Sequence, residues 1–395
     1  MVFYKESFVL LALSLLASFW LAYSQTSNNL QPGCLPVPTL PEGISSRPES
    51  WPHGTPLLQT FKDSSNSRRL AKRISTFWSG WQNVQYLFAF GDSYTSTNFT
   101  IFGEQPNPAN PLGNPSYPGA TSAAGPNYVD FLITTYNQSY IQAYNLGYGG
   151  ATIDPSVVQS GFGETIQSFQ QQVEDEFLPI YVNNSKVLWN ASNSLFSIFF
   201  GINDVTNSYA EGNDTINYDL IQAYQTLVNE LYAAGARNFL FMNVPPVDRS
   251  PGTLETSASS QAAEAAYIAA FNIRLGWLVY SLAQRHPDTT LFLFDTNWLF
   301  TRVLDNPQQF EETAVYLDTT EYCPAYAQYG QSGYTNGSYL QTQLSNSSSG
   351  ALSMTYFDPS CGVPLNAYFW LNTLHPTYPM HNFMGSQITQ FLEAN

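Results

Sequence analysis

The chain has little charge, and basic residues are especially few. Only 11% of its 395 residues are charged, and 13 Lys and Arg stand against 29 Asp and Glu, which gives a net charge of −16. An average globular protein is about 25% charged, so this composition excludes a coiled coil or a charge-rich helical bundle. A surface this acidic repels phosphate backbones and anionic lipids, and we therefore expect no binding to nucleic acid or to membranes.

Histidine and cysteine are also scarce, with four and three residues respectively. The sequence contains no His-Glu-X-X-His motif and no Cys/His cluster, so we expect no metal or other cofactor. Cys323 and Cys361 flank a stretch rich in Gly, Ser, Tyr and Asn, and a disulfide between them is predicted. Cys34 is left over, and it either pairs with another molecule or is removed by processing.

Only one long apolar run occurs, and it lies at the N-terminus. Lys5 precedes it, Phe8 to Ala22 is almost entirely apolar, and Ala22-Tyr23-Ser24 has small residues at the positions that signal peptidase reads. Residues 1–24 are therefore predicted to be a signal peptide, with an uncleaved anchor as the alternative. Secretion agrees with seven Asn-X-Ser/Thr sequons, which are candidate N-glycosylation sites on surface loops: Asn98, Asn137, Asn183, Asn190, Asn213, Asn336 and Asn346.

Residues 25–80 are rich in Pro and Ser, which is typical of a linker or a pro-segment. Lys72-Arg73 within this extension is either a dibasic processing site or an ordinary solvated basic patch. Residues 81–395 are predicted to form one domain, interrupted at about 306–364 by a polar insertion. The insertion carries several tyrosines, which could contact sugar faces, although simple loop packing is the expected explanation for most of them.

From residue 84 onward, short apolar runs alternate with helix-like stretches. Five runs have the nearly continuous apolar character of strands buried on both faces: Val84–Phe90, Tyr140–Leu146, Leu195–Phe200, Phe239–Val244 and Leu291–Phe294. Helices are predicted at Asn127–Tyr136, Glu164–Phe177, Tyr218–Ala234, Ser260–Arg285 and His381–Leu392. This alternation predicts a doubly wound parallel α/β sheet, in which ligands bind beyond the carboxyl ends of the strands.

A serine follows the first predicted strand, in Phe90-Gly91-Asp92-Ser93-Tyr94. Ser93 is either a nucleophile or only the cap of a following helix. The chain contains no Gly-X-Ser-X-Gly elbow, which argues against the usual α/β-hydrolase pattern. Such a nucleophile needs a base, and His375 and His381 are the candidates. His375 lies just before the last helix in a loop that Pro376 stiffens, and it is either the base or a structural histidine. The other histidines are His53 and His286.

Two further strand exits offer hydrogen-bond donors for an oxyanion. The second strand runs into Gly147-Tyr148-Gly149-Gly150, where the lack of a side chain lets the N–H of Gly150 approach a substrate oxygen. The third ends in Gly201-Ile202-Asn203-Asp204, which offers the side-chain amide of Asn203. Each segment alone could be merely a turn.

Together these segments resemble the sequence blocks of the GDSL or SGNH hydrolase superfamily. Gly91-Asp92-Ser93-Tyr94 matches the first block with Tyr in place of Leu, Asn145 with Gly150 the second, Gly201–Asp204 the third, and His375 the last. The resemblance covers residues 84–395 and implies a flavodoxin-like three-layer α/β/α sandwich with a five-stranded parallel sheet. It also implies that Ser93 is the nucleophile and His375 the base. The N–H groups of Ser93 and Gly150 and the Asn203 amide would then bind the oxyanion.

Within the superfamily, four segments look most like the secreted fungal esterases of carbohydrate esterase family 16: Phe88–Thr95, Gly125–Tyr128, Pro245-Pro246 and His375-Pro376-Thr377. That likeness implies a secreted esterase that removes acetyl groups from carbohydrates through an acyl-serine, without a cofactor. Two rival functions stay open. One is a lipid acylhydrolase, and the other is a non-catalytic glycan-binding surface protein that kept the fold.

One position departs from the family's usual Asp-X-X-His pattern, because residue 372 is Asn. An Asn oxygen can accept the Nδ1–H of His375, but it carries no charge to stabilise the imidazolium. Three explanations are open: Asn372 suffices, a backbone carbonyl orients His375, or Asp358 or Asp295 reaches in from elsewhere. A Ser–His dyad supported by Asn372 or by a main-chain oxygen is the favoured one.

Overall fold

The computed structural model describes residues 75–182, 184–330 and 356–395. The predicted signal peptide, most of the 25–80 extension, Cys34, His53, the dibasic pair and the sequons at 183, 336 and 346 lie outside these ranges. Residues 75–80 of the extension pack against the sheet. The backbone N–H of Ser75 donates to Thr290 Oγ1 at 3.1 Å, and the Trp78 ring meets the edge of Phe292 with centroids 4.9 Å apart.

The core of the described region is one parallel sheet. Its strands are β1 (Tyr86–Gly91), β2 (Gln142–Asn145), β3 (Ser194–Phe199), β4 (Asn238–Met242) and β5 (Thr290–Phe294). The order across the sheet is β2-β1-β3-β4-β5, and all four neighbouring pairs are parallel. This is the flavodoxin-like order, so the predicted fold class is confirmed and each apolar run coincides with a strand.

Helices surround the sheet, and their bounds are α1 (Tyr128–Thr134), α2 (three consecutive segments, Phe169–Gln171, Gln172–Phe177 and Leu178–Tyr181), α3 (Ile202–Ser208), α4 (Asp214–Ala233), α5 (Pro251–Leu254), α6 (Ala258–Arg285), α7 (Thr296–Asp305), α8 (Pro324–Ala327) and α9 (Tyr378–Glu393). The middle segment of α2 is π-helical. The five predicted helices correspond to α1, α2, α4, α6 and α9. Helix α6 is long and apolar enough to cross a membrane, but its buried face packs on α4, which accounts for its apolar character.

Aromatic side chains pack the two faces of the sheet against different helices. On one face Phe88 stacks on Phe196 of the neighbouring strand, and Phe177 of α2 meets both rings edge-on. On the other face the Tyr128 ring of α1 packs against Phe199. Tyr224 of α4 packs on Phe241 of β4 on the first face. Phe391 of α9 packs on Phe292 of β5 on the second face. The arrangement is a three-layer α/β/α sandwich.

The polar insertion is fastened to the domain by a second, smaller core. Cys323 and Cys361 form the predicted disulfide, with their Cα atoms 5.7 Å apart. Tyr326 and Tyr329 are buried in the same cluster, beside Phe131 of α1. Loop packing therefore explains these two tyrosines.

Four of the seven predicted glycan acceptors lie in the described residues, and all four are exposed: Asn98, Asn137, Asn190 and Asn213. A glycan could be attached at each position without displacing the core. Glycosylation itself stays a prediction.

Among the described residues, three carboxyl groups are completely buried. Burial raises the pKa of Asp92 and Asp204 to about 7 and that of Asp130 to about 8. In the described part of the chain each has one oxygen without a hydrogen-bond partner. These groups are therefore neutral in acidic solution and must be ionised inside the protein in alkaline solution.

We predict that stability falls as the pH rises through 7 to 8. The folded state holds protons that an unfolded Asp has already released above about pH 4, so the free energy of unfolding decreases until the folded pKa is passed. Buried histidines act in the opposite direction only below about pH 6.5. Between about pH 6.5 and 8.5, the melting temperature of Asp130→Asn should therefore decline less steeply with pH than that of the wild type.

The control for this change in net charge is Asp219→Asn, which removes a carboxylate from the exposed face of α4. The quantity compared is the slope of melting temperature against pH, since the absolute stability also depends on how well Asn fits the site. Equal slopes for Asp130→Asn and wild type would contradict the prediction.

Candidate active site

The nucleophile segment begins where β1 ends, at Gly91. A Cβ on Gly91 would lie 2.3 Å from Thr95 Oγ1 and 3.0 Å from the Phe199 carbonyl oxygen, so only glycine fits here. The buried carboxamide of Gln172 holds both backbone groups of Gly91. Its Oε1 accepts from the Gly91 N–H at 3.0 Å, and its Nε2 donates to the Gly91 carbonyl at 2.9 Å.

The chain then turns sharply through residues 92–96, where the N–H groups of Thr95 and Ser96 both donate to the Asp92 carbonyl. Two side-chain amides, from Asn127 and Asn145, donate to the Thr95 carbonyl at 2.7 Å each. The turn is thus fixed from two neighbouring elements, the cap of α1 and the end of β2. Ser93 lies on it with 7% of its surface exposed.

The structure brings Ser93, His375 and Asn372 together. Ser93 Oγ lies 2.7 Å from His375 Nε2, although the two residues are 282 positions apart. On the other side of the ring, His375 Nδ1 lies 3.0 Å from Asn372 Oδ1. Asp358 and Asp295 are engaged elsewhere, with Ser360 and with Asn243 and Trp298 respectively, and neither contacts His375 in the described part of the chain.

The orientation of the Asn372 carboxamide decides which imidazole nitrogen carries the proton. The same oxygen also accepts from the backbone N–H groups of Leu374 at 3.0 Å and His375 at 2.9 Å. Because two fixed donors already point at this atom, it must be the oxygen and not the amide nitrogen. The oxygen only accepts, so Nδ1 carries the hydrogen and Nε2 presents its lone pair to Ser93.

Among the described residues the His375 ring has no anionic partner, and burial lowers its pKa to about 4. His381 lies deeper, with a pKa lowered to about 3 by burial and then by the charge of His375. Its Nδ1 has no hydrogen-bond partner among the described residues. His286 lies at the end of α6, where its Nε2 is 3.0 Å from Asn229 Oδ1. Among the described residues, neither His381 nor His286 contacts Ser93.

The loop after β2 lies against the end of β1, the strand that leads to Ser93. The N–H of Tyr148 donates to the Gly91 carbonyl at 3.0 Å, which lays this loop against the end of β1. Gly150 follows with φ of +82°, a conformation that favours glycine. Within the described residues, the backbone N–H groups of Ser93 and Gly150 have no acceptor. Both are therefore available to a ligand oxygen.

The segment after β3 holds that loop in place. Asn203 Nδ2 donates to the Ala151 carbonyl at 2.9 Å, and Asp204 Oδ1 accepts from the Ile153 N–H at 2.9 Å. An Asn amide has two hydrogens, so Asn203 keeps a second one for a ligand. No three His, Cys, Asp or Glu side chains come together as a metal site would require, as far as the described ranges extend. The absence of a metal requirement stays a prediction.

Comparison with known proteins identifies the family to which the chain belongs. Residues 87–388 match the model of the family described as GDSL-like lipase/acylhydrolase. The chain belongs to the GDSL-like lipase/acylhydrolase family. It is 36% identical over 230 residues to an acetylesterase from Thermothelomyces thermophilus, covering 58% of this chain and 76% of that protein. A GDSL esterase/lipase from Zea mays is 25% identical over 257 residues, covering 53% of this chain and 63% of that protein.

Solved structures show more distant similarity. An acetylxylan esterase, Axe2 from Geobacillus stearothermophilus, is 12% identical with a TM-score of 0.36, covering 79% of this chain and 96% of that one. The family match and the acetylesterase relative confirm that this GDSL protein is a carboxylic ester hydrolase, as the sequence predicted. The expected resemblance to fungal acetylesterases is confirmed as well.

Tyr94 is a residue of this GDSL esterase that the sequence reasoning missed. In the sequence it stands out only as a departure from Leu in the first block. Its buried hydroxyl donates to the Leu374 carbonyl at 2.7 Å, and its ring centroid lies 5.6 Å from that of His375. Tyr94 thus joins the serine turn directly to the histidine loop.

We predict that Tyr94→Phe lowers kcat by about tenfold with little change in KM. Loss of one buried hydrogen bond costs about 1 kcal/mol and lets the His375 loop drift from Ser93. Tyr181→Phe is the matched control, because its ring is equally buried and its hydroxyl donates to Gln105 Oε1 at 2.8 Å, not to the serine turn or the histidine loop. Equal losses of kcat in the two variants, measured on a short-chain ester, would contradict this role.

Proposed function

We propose that this protein is a secreted serine esterase that removes acetyl groups from carbohydrate esters, with Ser93 as nucleophile and His375 as base. The observation that carries the proposal is the 2.7 Å hydrogen bond from Ser93 Oγ to the unprotonated Nε2 of His375. That contact supplies a nucleophile and a base in proton-transfer distance. Asn372 serves as the group that fixes the tautomer.

In the first step Ser93 Oγ attacks the ester carbonyl carbon while its proton passes to His375 Nε2. The carbonyl π electrons move to the oxygen, which the N–H groups of Ser93 and Gly150 and the Asn203 amide receive. One such donor contributes about 10²–10³ in kcat. His375 then gives its proton to the alcohol oxygen, the C–O bond breaks, and an acyl-serine remains.

In the second step a water molecule replaces the alcohol. His375 takes a proton from the water, whose oxygen attacks the acyl carbon through the same oxyanion arrangement. The bond to Ser93 Oγ then breaks, the serine recovers its proton from His375, and the carboxylic acid leaves. No residue beyond this set has to gain or lose charge.

Separate observations support the preference for acetyl esters and the extracellular location. The relative named an acetylesterase is matched over 76% of its length. The predicted signal peptide and sequons favour secretion, and the Cys323–Cys361 disulfide agrees with it, because disulfides persist in oxidising compartments. A non-catalytic glycan-binding protein would have no need of the aligned serine and histidine.

The proposal is tested with purified protein on nitrophenyl acetate, nitrophenyl octanoate and an acetylated pyranoside. We expect the acetyl esters to be hydrolysed faster than the octanoate. Ser93→Ala and His375→Ala should each lower kcat by at least about 10³. His381→Leu controls for a buried histidine in the same region and should keep most of the activity.

Faster octanoate hydrolysis would favour the lipid acylhydrolase instead. If His381→Leu abolished activity while His375→Ala did not, the assigned base would be wrong. Circular dichroism of each variant separates a lost fold from lost chemistry.

A second prediction concerns the missing negative charge at residue 372. Neutral His375 is the active form, so wild-type kcat/KM should be lost only as the pH falls through the histidine pKa. Burial places that pKa at about 4. We therefore expect the acid limb of the kcat/KM profile well below the pKa of about 6.5 of free histidine.

In Asn372→Asp a carboxylate beside Nδ1 favours the imidazolium and raises the His375 pKa. The acid limb of kcat/KM should therefore move to higher pH by one unit or more, and kcat above pH 7 should increase because the imidazolium is stabilised in the transition state. Asn372→Ala removes the oxygen and should lower kcat at every pH. An acid limb at the same pH in wild type and Asn372→Asp would show that residue 372 does not act on His375.

A further inference from the structure

Helix α2 is joined to the loop that carries Gly150. The backbone N–H of Phe169, the first residue of α2, donates to the Thr152 carbonyl at 2.9 Å. The N–H of Gln170 donates to the Ile153 carbonyl at 3.2 Å. Both acceptors lie within three positions of Gly150. The start of α2 therefore holds the loop of the proposed oxyanion donor through its backbone.

The same helix holds the end of β1 through the side chain of Gln172. This carboxamide is completely buried, accepts from the Gly91 N–H at 3.0 Å and donates to the Gly91 carbonyl at 2.9 Å. Its second amide hydrogen goes to the Gln167 carbonyl at 3.0 Å. Because both hydrogens and the oxygen are engaged, the group cannot turn over without losing all three bonds. Gly91 is thereby fixed two residues before Ser93.

The nucleophile strand and the oxyanion loop meet at the Gly91 carbonyl. Besides Gln172 Nε2, this oxygen accepts from the backbone N–H of Tyr148, two residues before Gly150, at 3.0 Å. Gln172 is also the residue at which the π-helical segment of α2 begins. Such segments are rare and occur frequently at functional sites. A displacement of this one carboxamide would move the end of β1 relative to the oxyanion loop.

We propose that Gln172 is a positioning residue that sets the separation of Ser93 from the Gly150 N–H, an inference that rests on the proposed function. It acts through Gly91 and does not touch the substrate. The acyl carbon has to meet Ser93 Oγ while its oxygen meets the Gly150 N–H, so a changed separation lowers kcat more than it changes KM. The site needs an acceptor and a donor side by side, which a neutral carboxamide supplies.

The test is Gln172→Glu, because a carboxyl group supplies both bonds only when it is protonated. The neutral acid accepts from the Gly91 N–H and donates to the Gly91 carbonyl, whereas a carboxylate directs an oxygen without hydrogen at that carbonyl. Burial raises the pKa of a Glu above its usual value of about 4.3. With nitrophenyl acetate, kcat of the variant should be close to that of wild type at about pH 5.5 and at least about tenfold lower at about pH 8.5. KM should change less than kcat.

Carboxyl groups that titrate in both proteins are removed by taking the ratio of variant kcat to wild-type kcat at each pH. Burial raises the pKa of Asp92, next to Gly91, and of Asp204 to about 7. It raises the pKa of Glu176, on α2 itself, to about 7 as well. These three groups are present in both proteins. A ratio that falls with rising pH therefore reports on the introduced carboxyl group.

Gln142→Glu is the matched control for the added charge. Half-buried Gln142 pairs with Tyr86 at the start of β1, the end of the strand opposite to Ser93, and its Nε2 donates to the Pro106 carbonyl at 3.0 Å. Its kcat ratio should not change with pH. Gln172→Met keeps an unbranched side chain but removes the bonds, and it should lower kcat about tenfold at every pH.

Three outcomes would overturn the inference. The first is a ratio in Gln172→Glu that does not fall as the pH rises, and the second is wild-type kcat in Gln172→Met. The third is a loss of kcat that follows the loss of the circular dichroism signal, which would show that Gln172 holds the fold and not the site. In each case, hydrolysis of nitrophenyl acetate by wild type and its loss in Ser93→Ala would still support the proposed function. A wild type without esterase activity would end both.

Discussion

The site depends on one hydrogen bond, from Ser93 Oγ to His375 Nε2, between residues that only the completed fold brings together. The serine is set by the end of β1, a central strand held by β2 and β3 on either side. The histidine is set by the loop before α9. Any packing change that shifts α9 relative to the sheet alters this distance, and Tyr94 spans the same gap with a second bond to that loop.

Ionised groups are few throughout the chain, and the group that contacts His375 Nδ1 is also uncharged. The chain is poorly charged, its three fully buried carboxyl groups are protonated in acid, and the partner of His375 is an amide and not a carboxylate. A neutral partner leaves the imidazole unprotonated to lower pH than a carboxylate would. The same environment that stabilises the fold in acid therefore keeps the proposed base in its working form there. The disadvantage is that the imidazolium formed during the reaction is less stable, so the step in which His375 takes the proton is slower at neutral pH.

Much of this could be predicted from the sequence because strands buried on both faces are apolar without interruption. The five runs marked the strands, and the rule that ligands bind beyond strand exits pointed to Ser93, Gly150 and Asn203. Helices α3 and α7 were missed because they start directly at strand exits, and α3 has only seven residues. The clamp of Gln172 on Gly91 and the bond from Tyr94 to Leu374 join segments far apart in the chain, so no local pattern could reveal them.

The Asn at position 372 shows why a residue type alone does not determine its effect. A free carboxamide beside a histidine can turn its NH₂ toward the ring, which places the proton on the wrong nitrogen. Here the backbone N–H groups of Leu374 and His375 hold the oxygen in place, and a turned amide would set its NH₂ against both donors. What is lost relative to a carboxylate is the charge, while the orientation is kept. The turn from Asn372 to His375 therefore decides whether an Asn can orient the histidine as an Asp would. The spacing of residues 372 and 375 is compatible with that turn but does not specify it.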